Sequence, residues 1–263
     1  KHSFALGSIA GSACLGMLIP PSVLLIVWGI ITEDSIGKLF VAGVIPGIVL
    51  AVFFAAYNMV SARMNPSIAP EPDSIGDITP LTRGQIYSGV SIIGLIILVL
   101  GGIWGGFFTA TEAAGVGALA GMCIAIGKGL RFKGLVECII DAGKTSAPIM
   151  ILLITAGMYS RFLSLADIDS LIVGAMSSAG LDGALGLLVM VIIWLLLGML
   201  LDSISIILLT VPLFMTLSSG MDPYAFAIFG ILAIEAGLLT PPFGLIVYTC
   251  LLYTSDAADE PMR

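Results

Sequence analysis

Asp202 is the side chain of this 263-residue chain whose type and position most clearly indicate chemistry. It follows Leu-Gly-Met-Leu-Leu and precedes Ser-Ile-Ser, with apolar stretches of about helix length on both sides. An ionised carboxylate at membrane depth is costly unless it is paired, so it indicates a functional site. The hydroxyls of Ser203 and Ser205, with nearby backbone carbonyls, would supply oxygen ligands for Na⁺ while Asp202 balances its charge. The alternative is an interfacial turn in which Asp202 caps a helix in contact with water.

A proline pair occurs twice, each time within an apolar run and four residues after a glycine. Because a proline pair removes two backbone donors and clashes with the preceding turn, each pair predicts a broken helix. The carbonyls upstream of a break can coordinate a cation, and the N-terminus of a half-helix can face an anion. The predicted ion- and substrate-binding residues at the two breaks are Gly16, Met17, Leu18, Ile19, Pro20 and Ser22, then Gly237, Thr240 and Pro241. A simple proline kink is the alternative at each.

The two glycines, Gly16 and Gly237, are expected to let the backbone open, so that their main-chain atoms join Asp202 and Ser203 around Na⁺. Glu235 lies six residues before Pro241 in an apolar run. It is either a structural acid that bridges the two halves of its helix or a ligand for an ion or proton. Glu112 fits the first turn of a helix better than a ligand site.

Composition places these residues in a membrane. Hydrophobic residues form 59% of the chain and charged residues 10%, and the mean hydropathy is +1.15. A soluble domain would carry about 25% charged residues. The apolar runs allow roughly six to eight membrane-embedded helical segments at about 20 residues a crossing. The chain has no basic tract for nucleic acid, no cysteine pattern for a metal or redox cofactor, and no nucleophile–base set typical of an enzyme.

The pattern predicts an all-α integral membrane fold with a re-entrant hairpin and two broken helices. Residues 4–31 and 222–248 form the broken helices, and the hairpin joins 184–201 to 204–217 with its tip near Asp202. Between them we expect a crossing over 37–60 kinked at Pro46, a crossing over 86–103, a helix that Thr111 caps and that ends at Ile126, an interfacial amphipathic helix over 127–144, and apolar helices over 148–163 and 168–176.

The matching proline pairs predict an inverted repeat of which the first copy is incomplete. Residues 1–60 are the C-terminal part of the first repeat, 61–85 a polar loop, and 86–249 the second repeat. On the order of 150 residues are expected to precede the chain. Residues 250–263 resemble a translated sequencing-library adapter and are set aside as a non-native tail. An ordinary native polar tail is the alternative.

Four motifs occur in order along the chain: Gly-Met-Leu-Ile-Pro-Pro-Ser (16–22), Phe-Thr-Ala-Thr-Glu-Ala-Ala (108–114), Leu-Gly-Met-Leu-Leu-Asp (197–202) and Glu-Ala-Gly-Leu-Leu-Thr-Pro-Pro (235–242). Together they resemble the large membrane subunit of tripartite ATP-independent periplasmic (TRAP) transporters, of the dicarboxylate-permease type. Three positions depart from the family pattern: Ser203 and Ala110 replace prolines, and Ile246 replaces an asparagine.

The resemblance implies a Na⁺ symporter for organic acids in the bacterial inner membrane, with no cofactor besides the coupling ion. It also implies two partners, a small membrane subunit and a periplasmic solute-binding protein. Two alternatives remain open: a stand-alone organic-anion carrier of similar architecture, and a membrane scaffold that does not transport and in which the breaks are only kinks.

Overall fold

The structure, a computed structural model, describes residues 2–68, 82–180, 183–218, 220–241, 244 and 246–250. Within these ranges the regular elements are all helical, as expected for an all-α membrane protein. They are α1 (His2–Ala13), α2 (Leu15–Leu18), α3 (Val23–Thr32), α4 (Ile36–Met64), α5 (Arg83–Trp104), α6 (Ala110–Gly127), α7 (Phe132–Leu165), α8 (Ile168–Ser178), α9 (Ala184–Gly198), α10 (Ser203–Leu217) and α11 (Pro223–Leu239).

Four of the described helices, α4 to α7, are long and apolar enough to cross a membrane. The bent pair formed by residues 4–18 and 23–32 raises this number to five. Helices α9 and α10 have 15 residues each. At about 1.5 Å per residue each is shorter than a hydrocarbon core of about 30 Å. The predicted range of six to eight embedded segments therefore needs these shorter apolar helices as well.

The chain divides into two compact units, one formed by Lys1–Ala69 with Ile151–Arg263 and the other by Pro70–Met150. In the smaller unit α5 packs against α6. The larger unit contains both proline-pair regions and the α9–α10 pair, and its core is formed by α3, α4, α9, α10 and α11.

The first proline pair breaks its helix as predicted. Helix α2 ends at Leu18, Ile19 is extended at ψ 125°, and α3 starts at Val23. The two halves are bent by 40°. A residue that precedes proline is pushed out of the helical region, which accounts for the extended Ile19.

Helix α4 supports this break through two glycines four residues apart. A Cβ on Gly43 would lie 2.7 Å from the Leu18 carbonyl oxygen, and one on Gly47 would lie 2.6 Å from the Ile19 side chain. Only glycine allows so close an approach. Helix α4 also continues through Pro46, so the prediction that this proline does not end the helix is confirmed.

Several predicted boundaries are wrong. Helix α6 is capped by Thr109 rather than Thr111, because Thr109 and Glu112 form a reciprocal capping box. The predicted interfacial and apolar helices over 127–144 and 148–163 are one helix, α7, which passes through Pro148. Neighbouring turns carry the helix past a single missing hydrogen bond. Helix α4 also extends to Met64, into the predicted polar loop, whereas residues 69–81 of that loop lie outside the described residues.

Two tryptophans form the centre of the larger unit. Trp28 of α3 and Trp194 of α9 are fully buried and their ring centroids are 6.3 Å apart. Both also contact Phe226 of α11. The indole N–H of Trp194 donates to the Thr210 hydroxyl of α10 at 2.8 Å. Helices α3, α9, α10 and α11 thus share one aromatic core.

Candidate functional site

Ser22 closes the first helix break. Pro20 and Pro21 have no N–H to pair with the carbonyls of Gly16 and Met17. The Ser22 hydroxyl donates to the Met17 carbonyl and accepts from the Leu25 N–H, so that it also caps α3. The prolines leave the carbonyls of Gly16 and Met17 without a helical donor, and the Met17 carbonyl therefore has the Ser22 hydroxyl as a substitute. Ser22 is buried, and its position directly after the proline pair could have predicted an N-cap.

The other predicted residues of this break differ in exposure. Leu18 and Pro20 are buried, whereas Gly16, Met17 and Ile19 are exposed. Gly16 lies within α2 rather than at an opening of the backbone, and no described atom lies within 4 Å of where its Cβ would be. The backbone leaves the helix three residues later, at Ile19.

The second break has the same local form. Helix α11 ends at Leu239, Thr240 is extended at ψ 135°, and residues 246–250 are helical again. The Thr240 N–H donates to the Gly237 carbonyl at 2.9 Å, and its hydroxyl donates to the Ala236 carbonyl at 2.7 Å. Pro241 is exposed, and Pro242 lies outside the described residues.

Gly237 has a different local role from the predicted one. It is helical, and a Cβ there would lie 2.9 Å from the Gly198 Cα atom and 2.9 Å from the Leu195 carbonyl oxygen. Gly237 and Gly198 therefore bring the backbones of α11 and α9 into contact instead of opening the helix. The Leu-Gly-Met-Leu-Leu-Asp motif contains this Gly198, so a packing signal was present in the sequence.

Asp202 caps α10. Its Oδ2 accepts from the Ser205 N–H at 3.0 Å, and its Oδ1 accepts from the Ser205 hydroxyl. Asp202 is exposed, whereas Ser203 is buried. The hydrogen bonds from Ser205 are those that the alternative, Asp202 as a helix cap, requires. Each carboxylate oxygen keeps a lone pair beyond the bond to Ser205, so capping leaves acceptor capacity for a cation.

Ser203 contacts Glu235, which is the one buried acid among the described residues of the larger unit. Its hydroxyl donates to Glu235 Oε1 at 2.7 Å, and Glu235 is 3% exposed. Glu235 Oε2 is buried without a hydrogen-bond partner in the described part of the chain. In the described part of the chain, Glu235 joins α11 to the start of α10 and not to the other half of its own helix, as one alternative held.

Cys14, at the junction of α1 and α2, approaches the same place. Its Sγ lies 4.0 Å from the Glu235 carbonyl oxygen, and the side chain is buried. The start of α10, the C-terminal half of α11 and the junction of α1 and α2 therefore meet around Glu235. Within the described residues no cluster of three His, Cys, Asp or Glu side chains forms a metal site. A cation held here would need hydroxyl and main-chain oxygens in addition to an acid.

A cavity of about 250 Å³ adjoins the first turns of α10 on the side of Ser205. Thr155 and Tyr159 of α7 line it together with Ser205, Leu208 and Leu209 of α10. Of the predicted site residues, this lining contains Ser205. The cavity therefore borders the serine that Asp202 contacts, and neither Ser203 nor Glu235 lines it.

Comparisons with known proteins match this chain to one family. The family model described as "Tripartite ATP-independent periplasmic transporter, DctM component" matches residues 1–252. A C4-dicarboxylate TRAP transporter large permease protein of Pseudomonas aeruginosa is 30% identical over 266 residues, covering 100% of this chain and 61% of the relative.

Two further relatives carry other solutes in their names. An ectoine TRAP transporter large permease protein of Halomonas elongata is 30% identical over 95% of this chain and 59% of its own length. A sialic acid TRAP transporter large permease protein of Vibrio cholerae is 28% identical over 93% of this chain and 57% of its own length. The chain thus spans about three fifths of the length of the curated relatives that it matches.

Proposed function

Because the chain belongs to the DctM component family of tripartite ATP-independent periplasmic transporters, we propose that it forms part of the permease subunit of a Na⁺-coupled symporter. The solute is an anionic organic compound, such as a C4-dicarboxylate or a sugar acid. The partners are a small membrane subunit and a periplasmic solute-binding protein, and the location is the bacterial inner membrane. The observation that carries the proposal is the family match over residues 1–252.

The geometry of the larger unit supports an ion-binding role. Two helices end two residues before a proline, and the intervening residues, Ile19 and Thr240, are extended. Broken helices at membrane depth occur where they line a cavity or are buried in protein. In transporters built on repeats, carbonyls at such breaks coordinate the coupling ion. The freed Gly16 carbonyl, the Ser203 hydroxyl and the Asp202 carboxylate are the oxygen ligands of the proposed Na⁺ site.

The α9–α10 pair is the proposed re-entrant hairpin. Its helices are too short to cross alone, and Asp202 with Ser203 forms its tip. The mechanism that follows is coupling by charge. Na⁺ at the tip neutralises Asp202, and the bound cation together with half-helix N-termini attracts the carboxylate of the solute.

The proposal is tested by reconstituting the complete permease with its small subunit in proteoliposomes, with an inward Na⁺ gradient and radiolabelled succinate or sialic acid. We expect uptake that needs both the gradient and the solute-loaded binding protein. Na⁺-driven uptake without the binding protein would favour the stand-alone carrier. Failure of every organic anion tested to enter, with or without the binding protein, would favour the scaffold.

A further inference from the structure

Glu235 is the group that ties the tip of the α9–α10 pair to α11. Glu235 is 3% exposed, and its Oε1 accepts a hydrogen bond from the Ser203 hydroxyl at 2.7 Å. Ser203, at 7% exposure, is the first residue of α10, directly after the Asp202 cap. A hydrogen bond to this serine therefore restrains the first turn of α10 and the tip that precedes it.

The direction of this hydrogen bond determines what else Ser203 can do. A serine hydroxyl has one proton and two lone pairs. Because the proton is donated to Glu235 Oε1, only lone pairs remain for a third partner. The Ser203 oxygen is thereby set as an acceptor, which is the state that a cation ligand requires. Partners of this kind orient ligands at metal sites in general.

The tip is fixed on its other side as well. Gly198, the last residue of α9, contacts the backbone of Gly237, two residues after Glu235 in α11. Both helices that flank the tip are thus held by a short stretch of α11, one by backbone contact and the other by the Ser203–Glu235 hydrogen bond.

We propose that Glu235 is a positioning residue that holds the Ser203 hydroxyl as an acceptor and keeps the hairpin tip seated on α11. The inference deepens the proposed function, since it assigns a role to Ser203 as an ion ligand. Glu235 itself acts through Ser203 and does not touch the ion. Asp202 provides the charge and Glu235 provides the orientation.

The test uses hydrogen–deuterium exchange of residues 200–206 in the 263-residue chain in nanodiscs. Glu235→Gln keeps an oxygen acceptor of the same shape, whereas Glu235→Met has a similar length and no strong acceptor. We expect exchange near the wild-type rate in the Gln variant and roughly tenfold faster exchange in the Met variant, as for loss of one buried hydrogen bond. Ser203→Ala should accelerate exchange equally, and the Ser203→Ala/Glu235→Met double variant should be no faster than either.

Thr210→Val is the matched control, because it removes another buried hydroxyl of α10 that bonds Trp194 instead of Glu235. It should leave exchange at the tip unchanged. Equal exchange in the Gln and Met variants, or effects of Ser203→Ala and Glu235→Met that multiply, would overturn the positioning role. The same measurement on the complete permease, in Na⁺ against K⁺, separates the two proposals. Wild-type tip exchange that Na⁺ does not slow there contradicts only the ion site, and the cycle between Ser203 and Glu235 still decides the positioning role.

Discussion

Asp202 and Ser203 are neighbours with different surroundings, and this difference was not available from the sequence. The sequence singled out Asp202 as the carboxylate of an apolar region and left capping as an alternative. In the structure Asp202 is exposed and caps α10, whereas Ser203 points to the buried Glu235. The Ser203–Glu235 bond joins residues 32 apart in the chain. No local pattern predicts such a contact, because it depends on how α10 packs on α11.

Asp202→Asn separates charge from capping. Asparagine caps helices about as well as aspartate, so the start of α10 and membrane insertion should be preserved. If Asp202 balances Na⁺, one carboxylate beside the ion contributes several kcal/mol at an effective dielectric constant of about 20. We therefore expect a roughly hundredfold weaker apparent Na⁺ affinity in a Na⁺ titration of solute uptake by the complete assembly.

Asp222→Asn is the control for this variant. Asp222 caps α11 through the N–H groups of Tyr224 and Ala225, so it has the same local chemistry at a different helix start. Its asparagine variant should keep the wild-type Na⁺ titration. An unchanged Na⁺ titration in Asp202→Asn would mean that Asp202 caps α10 and does not balance the charge of Na⁺.

At the scale of elements, proline pairs predict where helices break, and glycines determine how closely helices pack. Both breaks were predicted, since a proline pair has a local steric consequence. The single Pro46 and Pro148 do not end their helices, and only the first of these was predicted. Gly198 and Gly237 could be found in the sequence, but their contact across α9 and α11 could not, because either glycine also fits a flexible or open backbone.

Gly198→Ala should loosen the α9–α11 contact. The new Cβ would lie 2.8 Å from the Gly237 Cα and from the Ile234 carbonyl oxygen, which are backbone atoms that cannot move aside cheaply. Overpacking of this kind costs about 1–3 kcal/mol. We expect a clear drop in the midpoint of thermal unfolding in detergent. The control Gly157→Ala in α7 meets no described atom within 4 Å and should unfold at the wild-type temperature or above. A wild-type midpoint for Gly198→Ala would mean that the two backbones are not in contact.

Thr109→Ala tests the corrected start of α6. Thr109 accepts from the Glu112 N–H at 3.3 Å, and Glu112 accepts from the Thr109 N–H at 2.8 Å. Loss of the threonine side chain should destabilise the first turn by about 1 kcal/mol. Amide exchange over residues 110–114 should accelerate accordingly. Thr111→Ala, inside the helix, should accelerate exchange less. A larger acceleration in Thr111→Ala than in Thr109→Ala would mean that Thr111 is the cap.

At the scale of the whole molecule, composition and four short motifs were sufficient for the class and the family. Hydrophobic content predicts an all-α membrane protein, and the family match extends over residues 1–252. The inverted repeat, the re-entrant hairpin and Na⁺ coupling stay predictions. These three predictions concern the symmetry of the fold, the depth of its segments in a bilayer and the binding of an ion. The matching proline pairs are the sequence pattern that bears on them. Of the predicted tail, residues 250–263, all but Cys250 lie outside the described residues.

The depth of the two breaks in the bilayer tests the central claim most directly. Nitroxide labels are placed singly at Ile19 and Thr240, the extended residues before the proline pairs, with the native cysteines replaced by serine. The complete permease is then reconstituted, and label depth is measured by electron paramagnetic resonance with oxygen and a water-soluble nickel reagent. We predict that both labels lie near the bilayer midplane and become less accessible to the nickel reagent when Na⁺ replaces K⁺. A label in the headgroup region at either position, or accessibility that Na⁺ leaves unchanged at both, would contradict an ion site built on the two helix breaks.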